Sequence, residues 1–524
     1  MPFTAHPPKS IPVARPRRSR RWRTLWLTAG GLLALLLLGP LFYAGENWRG
    51  HRAWAACQRV LQAQGVDFNW HVLAPPPVAD RDNFATTPFL AALFDYLPGT
   101  RTPRDLAAYN RSAGFAQTGA PYDEWRDDGL APAMFAGRRI DLAGGLQLFR
   151  PTNLRANPST ETNADHGNRA ATALAVLAAL AKFNPVLDEL RAASRRPESR
   201  FNFSYDETDS WRMSQPHLPV LKHVCHVLTL RASAELALQN APAAADDVAL
   251  IFKLADSIHD EPFRSSLLAR FAMLADARQI IWEGLADRRW SDAQLTDFTS
   301  HLQEISPLGD LRKPLRVEQA ARNELFDELH RRPAIVKDWQ FGPGFWNHVL
   351  PYYLWLMPSG WMYQEQVSYQ RAFEEQLAPA LDPESTRVRP SSVNLARHGG
   401  SPWWNHRVLS NALLGSAEWL LTQAAFAQTV NNQTFLACAL ERYRQANGQF
   451  PATLEKLTPL YLSDLPSDLT ADQSLKYHRT DDGQFQLYSI GWNGKDDGGK
   501  VAMNPDGKTI DTTQGDWVWP PYLQ

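Results

Sequence analysis

With 524 residues, 44% of them hydrophobic, the chain can bury a sizeable core and is long enough for about two to four domains, which excludes a disordered protein. Its formal net charge of -1 supplies no overall field to attract nucleic acid, so no nucleic-acid partner is expected. Three scattered cysteines, Cys57, Cys225 and Cys438, make neither a disulfide framework nor a CxxC metal knuckle and read as small buried residues.

The basic residues are concentrated at the start. Arg15, Arg17, Arg18, Arg20, Arg21 and Arg23 precede residues 24–44, TLWLTAGGLLALLLLGPLFYA, which carry no charge. A helix of that length spans about 30 Å, the thickness of a bilayer core. Phe42 sits where a signal-peptide cleavage site prefers a small residue, so the segment predicts an uncleaved transmembrane signal anchor. The positive-inside rule then leaves 1–23 as a cytoplasmic basic tail and puts the bulk of the chain across the membrane. In a bacterium this is a single-pass inner-membrane protein with its C-terminal bulk in the periplasm.

Region 45–165 opens with a predicted helix over 46–70 that ends at Gly65, with Trp54, Val60 and Leu61 on one face. Pro75 to Pro77 follow as an extended connector. Residues 97–165 are rich in Pro, Gly, Asn and Thr and read as irregular, with short strands at RRIDL and GLQLF.

Region 166–375 is predicted to be an α-helical array with a loose, repeat-like echo. Leu221, Val224, Leu228, Ala232 and Leu236 make one stripe, and Ala244, Val248, Ile251, Ala255 and Ile258 make another. Pro262 can open the next helix, and Ser291 with Gln294 forms a capping box. Short connections between these helices imply packed neighbours. Residues 339–363 hold four Trp, three Tyr and no charge. Two readings fit them, an aromatic belt on the bilayer surface and a buried turn-rich segment, and the second is the more usual fate of such side chains. Residues 376–408, with four prolines, read as a linker.

The C-terminal module, 409–524, begins with a long helix over 409–447 that stops at Asn447-Gly448, with Phe426, Val430, Leu436, Leu440 and Tyr443 near one stripe. A short helix in TLEKLTPLYL and a hairpin turning at Asp482-Gly483 come next, then the loop GWNGKDDGG. The stretches ALERYRQANGQFPATLEKL and LKYHRTDDGQFQLYSIGWNGKDDGG resemble the periplasmic domain of the major pseudopilin of type II secretion systems. That resemblance implies a small α+β module with an acidic glycine loop that binds calcium. The whole chain also resembles a group of uncharacterised, single-anchored bacterial envelope proteins, a likeness that implies an architecture and no activity. A pseudopilin carries its apolar segment at the head of the long helix, whereas here that segment lies hundreds of residues upstream, so pilus assembly is not implied.

The chemistry on offer is sparse. Calcium takes about six to eight oxygen ligands. The loop offers Asn493, Asp496, Asp497 and, beyond it, Asp506, with Asp511 and Asp516 in the following chain. The alternative is a turn in which glycines take positive φ and the carboxylates bond local amides. His223, Cys225 and His226 share a helix but lack a complete ligand set. Glu318, Glu324 and Glu328 could act as acid and base, yet Arg322 and Arg331 make an ion-pair face the simpler reading. No nucleophile-elbow, P-loop or dinucleotide fingerprint occurs. The chain therefore reads as a mainly α, membrane-anchored envelope protein, more a non-enzymatic scaffold for an envelope protein partner than an enzyme. The alternative is a hydrolase of cell-wall or glycan material that uses those glutamates together with Trp403 and Trp404.

Overall fold

The computed structural model describes residues 18–117, 133–149, 169–203, 205, 213–332, 352–380, 388, 390, 406–471, 473–505 and 509–520. The protein is mainly helical, with a small antiparallel sheet near its C-terminus. Its longer helices are α1 (Arg18–Ala63), α2 (Leu106–Ala113), α3 (Leu142–Leu148), α4 (Arg169–Leu180), α5 (Asn184–Ala193) and α6 (His217–Ala237). They continue as α7 (Ala241–Asp256), α8 (Arg264–Ala286), α9 (Asp292–Glu304), α10 (Arg312–Arg331), α11 (Ser359–Ala372) and α12 (Val408–Asn447). The strands are β1 (Lys476–Arg479), β2 (Phe485–Ser489), β3 (Val501–Met503), β4 (Ile510–Gly515) and β5 (Trp517–Val518).

Backbone contacts group the chain into two compact units. The first comprises Met1–Val66, Phe326–Ser368 and Pro402–Val408. Here α1 runs without a break from the apolar segment into the helix expected after it. It ends where Gly65 takes φ +84° and the Val66 N–H returns to the Leu61 carbonyl, a left-handed cap open to glycine at no steric cost. Trp54 and Leu61 are buried as predicted, whereas Val60 faces outward. The 352–368 stretch packs against α1 through glycine. A Cβ on Gly50 would lie 2.5 Å from Gly360 Cα, and one on Gly360 would lie 2.7 Å from Asn47 Cα. The two backbones touch, and the Asn47 side chain accepts the Gly360 N–H at 2.9 Å. His406 packs on Trp361, whose indole N–H donates to Glu46 at 3.0 Å. Burial holds the His406 imidazole below its ordinary pKa, and the neighbouring Arg49 adds to that effect.

The second unit comprises Asp67–Leu325, Tyr369–Ser401 and Leu409–Gln524. Helices α6, α7 and α8 pack on one another, and α4 packs on α6. Both predicted stripes are in the core, but α6 is buried nearly all round, since Cys225, Val227, Leu230 and Ala234 are inside as well. The connections follow local rules. Gln239 at φ +64° lets α6 end, the Ser291–Gln294 capping box opens α9, and Phe263, just after Pro262, occupies the N-cap position of α8 with no side-chain cap bond. At the end of α8 the chain doubles back so that Trp290 lies on Gly284 and donates its indole N–H to Ile281 at 2.9 Å.

One stretch among the described residues has the length and hydropathy of a membrane span, Arg169–Ala193, with a mean hydropathy of 1.6. It tightens to a 3-10 turn at Ala181–Phe183 between α4 and α5 and carries Lys182, Asp188, Glu189 and Arg191. Its buried side, at Ala173, Val176, Leu180, Phe183, Leu187 and Leu190, repeats every three or four residues, the signature of a core helix.

Two sequence expectations change. GLQLF is not a strand, because its residues lie in or abut α3, where the Asp141 side chain accepts the Ala143 N–H and so caps a helix. In RRIDL, residues 138–141 are irregular, with Ile140 buried, and Leu142 opens α3. The expected hairpin is present, with β1 and β2 antiparallel in the register Tyr477 with Leu487 and Gly483 at φ +78° in the turn. Strand β5 completes the order β1-β2-β5, and β3 pairs with β4. Helix α12 supplies Leu436, Ala437, Leu440 and their neighbours to the same hydrophobic core as α6 and α8.

Candidate functional site

The glycine loop connects β2 to β3 and is folded around one buried carboxylate. Asp516 is fully buried and accepts the N–H of Asp497 at 3.1 Å and that of Gly499 at 2.6 Å. Its own N–H reaches the Lys500 carbonyl at 2.9 Å. Gly491, Gly494, Gly498, Gly499 and Gly515 all lie at positive φ, and Gly491 presses its backbone against the Gly515 carbonyl, so at that position glycine is needed twice over. A second buried acid, Asp468, accepts from Ser489 Oγ at 2.8 Å and from the Ile490 N–H at 3.2 Å, pinning the end of β2.

The other carboxylates of the loop are also engaged. Asp496 accepts the Gly498 N–H at 3.0 Å and the Tyr488 hydroxyl at 3.2 Å. Burial and then the Asp496 charge push the Tyr488 phenol up. Asp497 pairs with Lys495 at 2.9 Å and accepts the Asn493 amide at 3.2 Å. Those two bonds hold its carboxyl below the usual range, Lys495 first. The Asn493 oxygen meanwhile takes the Lys495 N–H at 3.0 Å.

These bonds set which atoms the predicted ligands present. Asn493 presents its amide nitrogen, a donor, to Asp497, and the Lys495 ammonium occupies the opposite carboxylate oxygen. Asp516 spends its oxygens on backbone amides. Among the described residues no three His, Cys, Asp or Glu side chains are grouped to hold a metal ion, and Asp506 lies outside them. As folded, Asn493, Asp496 and Asp497 are held by these local bonds.

The other sequence candidates separate. His223 lies edge-on to Phe115 and Phe149, while His226 turns to Asp276 at 3.6 Å, so the two do not share a ligand point. Burial lowers the His226 imidazole to about 3, with His223 and Lys222 adding to the effect, and burial raises the Asp276 carboxyl. Glu318 is taken by Arg322 at 2.6 Å and Ser416 at 2.9 Å, and Glu328 by Arg332 at 3.2 Å. Trp403 and Trp404 lie outside the described residues.

Sequence reading missed two buried polar groups in the second unit. Glu283 accepts from Ser233 Oγ at 2.6 Å, the Ile140 N–H at 2.8 Å and the Gln279 amide at 3.0 Å. Glu261 bridges His217, at 2.8 Å, and the Ser266 hydroxyl, while His217 stacks on Phe201 with ring centroids 4.1 Å apart. The sequence signal available was polarity itself, an acid inside an apolar helical run.

These features define a mainly helical protein with a small, self-bonded C-terminal sheet. No family model, no curated protein and no solved structure matches the chain.

Proposed function

We propose that this is a single-pass bacterial inner-membrane protein whose periplasmic helical body is a non-enzymatic scaffold for another envelope protein. The observation that carries the reading is the block of six arginines directly ahead of 21 uncharged residues. The exposure of Leu25, Trp26, Leu27, Leu38, Leu41 and Phe42 along α1 supports it, because such a row is costly in water and at home in lipid. The scaffold part is supported by the fate of the chemically interesting groups: Glu318, Glu328 and the His226–Asp276 pair each have a close structural partner. The resemblance of the C-terminal sequence to a pseudopilin domain supports the periplasmic location.

The same reading makes the C-terminal loop a partner-facing turn. Calcium at Asn493, Asp496, Asp497 and Asp506 would be an addition to it, and would require Lys495 to leave Asp497 and the Asn493 amide to turn.

A reporter enzyme active only outside the cytoplasm, fused after Gln524, tests the location. Activity together with an uncleaved N-terminus supports the anchor. Soluble protein beginning near Gly45 replaces it with a signal peptide. Purification from solubilised envelopes tests the scaffold. Stoichiometric co-purification of one envelope protein supports it, and release of sugar from sacculi would transfer the function to a hydrolase.

A further inference from the structure

The first unit contains an aromatic surface whose place in the fold says what covers it. Between Tyr352 and Leu356 the chain forms a short helical stretch in which Leu354 is buried, whereas Tyr352 is 68% exposed, Trp355 74% and Leu356 58%. Nothing in the sequence from Trp339 to Tyr363 carries a charge. An uncharged, outward face bearing a Trp, a Tyr and a Leu is unfavourable against water, and isolated apolar residues do not explain three within one turn.

Its position is fixed by the last turn of the apolar segment. The Tyr43 hydroxyl donates to the Leu356 carbonyl, and the Phe42 ring meets Trp361 edge-on at 6.4 Å. Phe42 and Tyr43 are the last aromatic residues before the uncharged run ends at Ala44. A helix rises 1.5 Å per residue, so 24–44 fills the hydrocarbon and leaves Phe42 and Tyr43 at its boundary. The stretch bonded to them is therefore held at that same depth. The Asn47–Gly360 bond and the Gly50–Gly360 backbone contact, about one and two turns further along α1, prevent it from swinging away.

We propose that Tyr352, Trp355 and Leu356 form a second membrane contact, an interfacial foot that rests in the headgroup region beside the point where α1 leaves the bilayer. This rests on the anchor reading above and adds a distinct claim. The ligand chemistry is that of a lipid interface, where Trp and Tyr keep an apolar body in the acyl boundary and a polar tip in water. The foot converts a single helix, free to tilt and rotate, into a two-point attachment that fixes the orientation of the first unit on the membrane.

The test uses full-length protein in lipid nanodiscs, with a nitroxide label at Trp355→Cys and, separately, at Tyr352→Cys. Native Cys57, Cys225 and Cys438 are buried and leave the introduced thiol as the reactive one. Both positions face outward, so the substitutions leave the packing intact. Labels at Leu38→Cys and at Leu460→Cys, the latter 78% exposed, serve as lipid and water references. Collision with dissolved oxygen and with a water-soluble nickel chelate is read from power saturation. The expected result is at least a threefold lower nickel accessibility at 352 and 355 than at 460, with oxygen accessibility close to that at 38. A water-like label at 355 beside a lipid-immersed label at 38 overturns the foot and leaves the anchor standing. Nickel access at 38 overturns the anchor itself. Low access to both reagents at 355 means that protein covers the face, which also overturns the proposal.

Discussion

Two glycines in the same helix, five residues apart, should respond to alanine with opposite signs. Gly45 has nothing within 4 Å of the position a Cβ would take, so Gly45→Ala should stabilise α1 by about 1 kcal/mol, the helix-propensity difference. Gly50 faces Gly360, and its new methyl would meet the Gly360 Cα at 2.5 Å, where ordinary contact begins at 3.4 Å. The neighbour is main chain and cannot rotate aside, so the two segments must part by about 1 Å, at an overpacking cost of about 1–3 kcal/mol. Separation also lengthens the 2.9 Å bond from the Gly360 N–H to Asn47. Net of the propensity gain, Gly50→Ala should fall about 2 kcal/mol below Gly45→Ala, equivalent to roughly 30-fold in a local opening constant. Amide exchange over 45–63 and 352–368, followed by mass spectrometry in detergent, measures that factor. Equal protection in the two variants would refute the backbone contact.

Four further outcomes follow from the second unit. Gly284→Ala should lower the melting temperature measurably, because its methyl would lie 2.5 Å from Trp290 Cζ2, and Trp290→Leu should relieve most of the loss in the double variant. Glu283→Gln should cost about 1–3 kcal/mol in urea unfolding, since one acceptor becomes a donor facing Ser233, Ile140 or Gln279; no change would mean that this side chain does not hold the 140 region. His259 bonds Asp310 at 3.0 Å, which raises its pKa, with burial and then Arg270 opposing and Asp260 adding. Its contribution is therefore full below the ordinary histidine value and fades as pH rises through the raised one; because the ring is half exposed it is worth about 0.5 kcal/mol. His259→Asn should flatten that step in unfolding midpoints taken between pH 5.5 and 9. Asp516→Asn should loosen the loop and raise proteolysis between Asn493 and Lys500, whereas millimolar calcium should leave the melting temperature of the full chain unchanged; a calcium-dependent rise lost in Asp497→Ala would restore the ion.

The stripes of α6 and α7 were legible because their apolar spacing follows the helical period, and so was the capping box at Ser291. The full burial of α6 was not, since residues such as Cys225 and Ala234 are small and ambiguous until neighbours arrive on every side. GLQLF illustrates the limit for short apolar runs, which suit a strand and a helix equally. Asp141 tips the balance by capping. The Gly50–Gly360 contact left no trace in sequence, because a helical glycine reads as a weak point and its partner is hundreds of residues away. In the loop, composition found Asn493, Asp496 and Asp497, but not that Asp516 would be the buried acid that collects the loop amides. Acceptors that act across 17 to 19 residues have no local signature.

Several helical side chains share one role, and it follows from the irregular region. The described residues of this region, 67–117 and 133–149, form few regular ladders, so their backbone N–H groups need acceptors from elsewhere. Helices supply them as side chains: Glu189 takes the Phe89 N–H at 2.7 Å, Gln279 that of Met134 at 2.7 Å, and Glu283 that of Ile140 at 2.8 Å. Asn83 does the same with Arg200, accepting its N–H at 2.8 Å and donating to its carbonyl at 3.0 Å, as a strand neighbour would. His217, Glu261 and Ser266 bond side chain to side chain, in an arrangement that is structural rather than catalytic. A serine nucleophile needs histidine between the hydroxyl and the acid, so that the imidazole can take the proton. Here the carboxylate is in the middle, Ser266 donates to it directly, and His217 lies packed against Phe201 on the far side. The order of these three groups makes a strut between α6 and the start of α8, and that order, rather than the residue types, separates a brace from a relay.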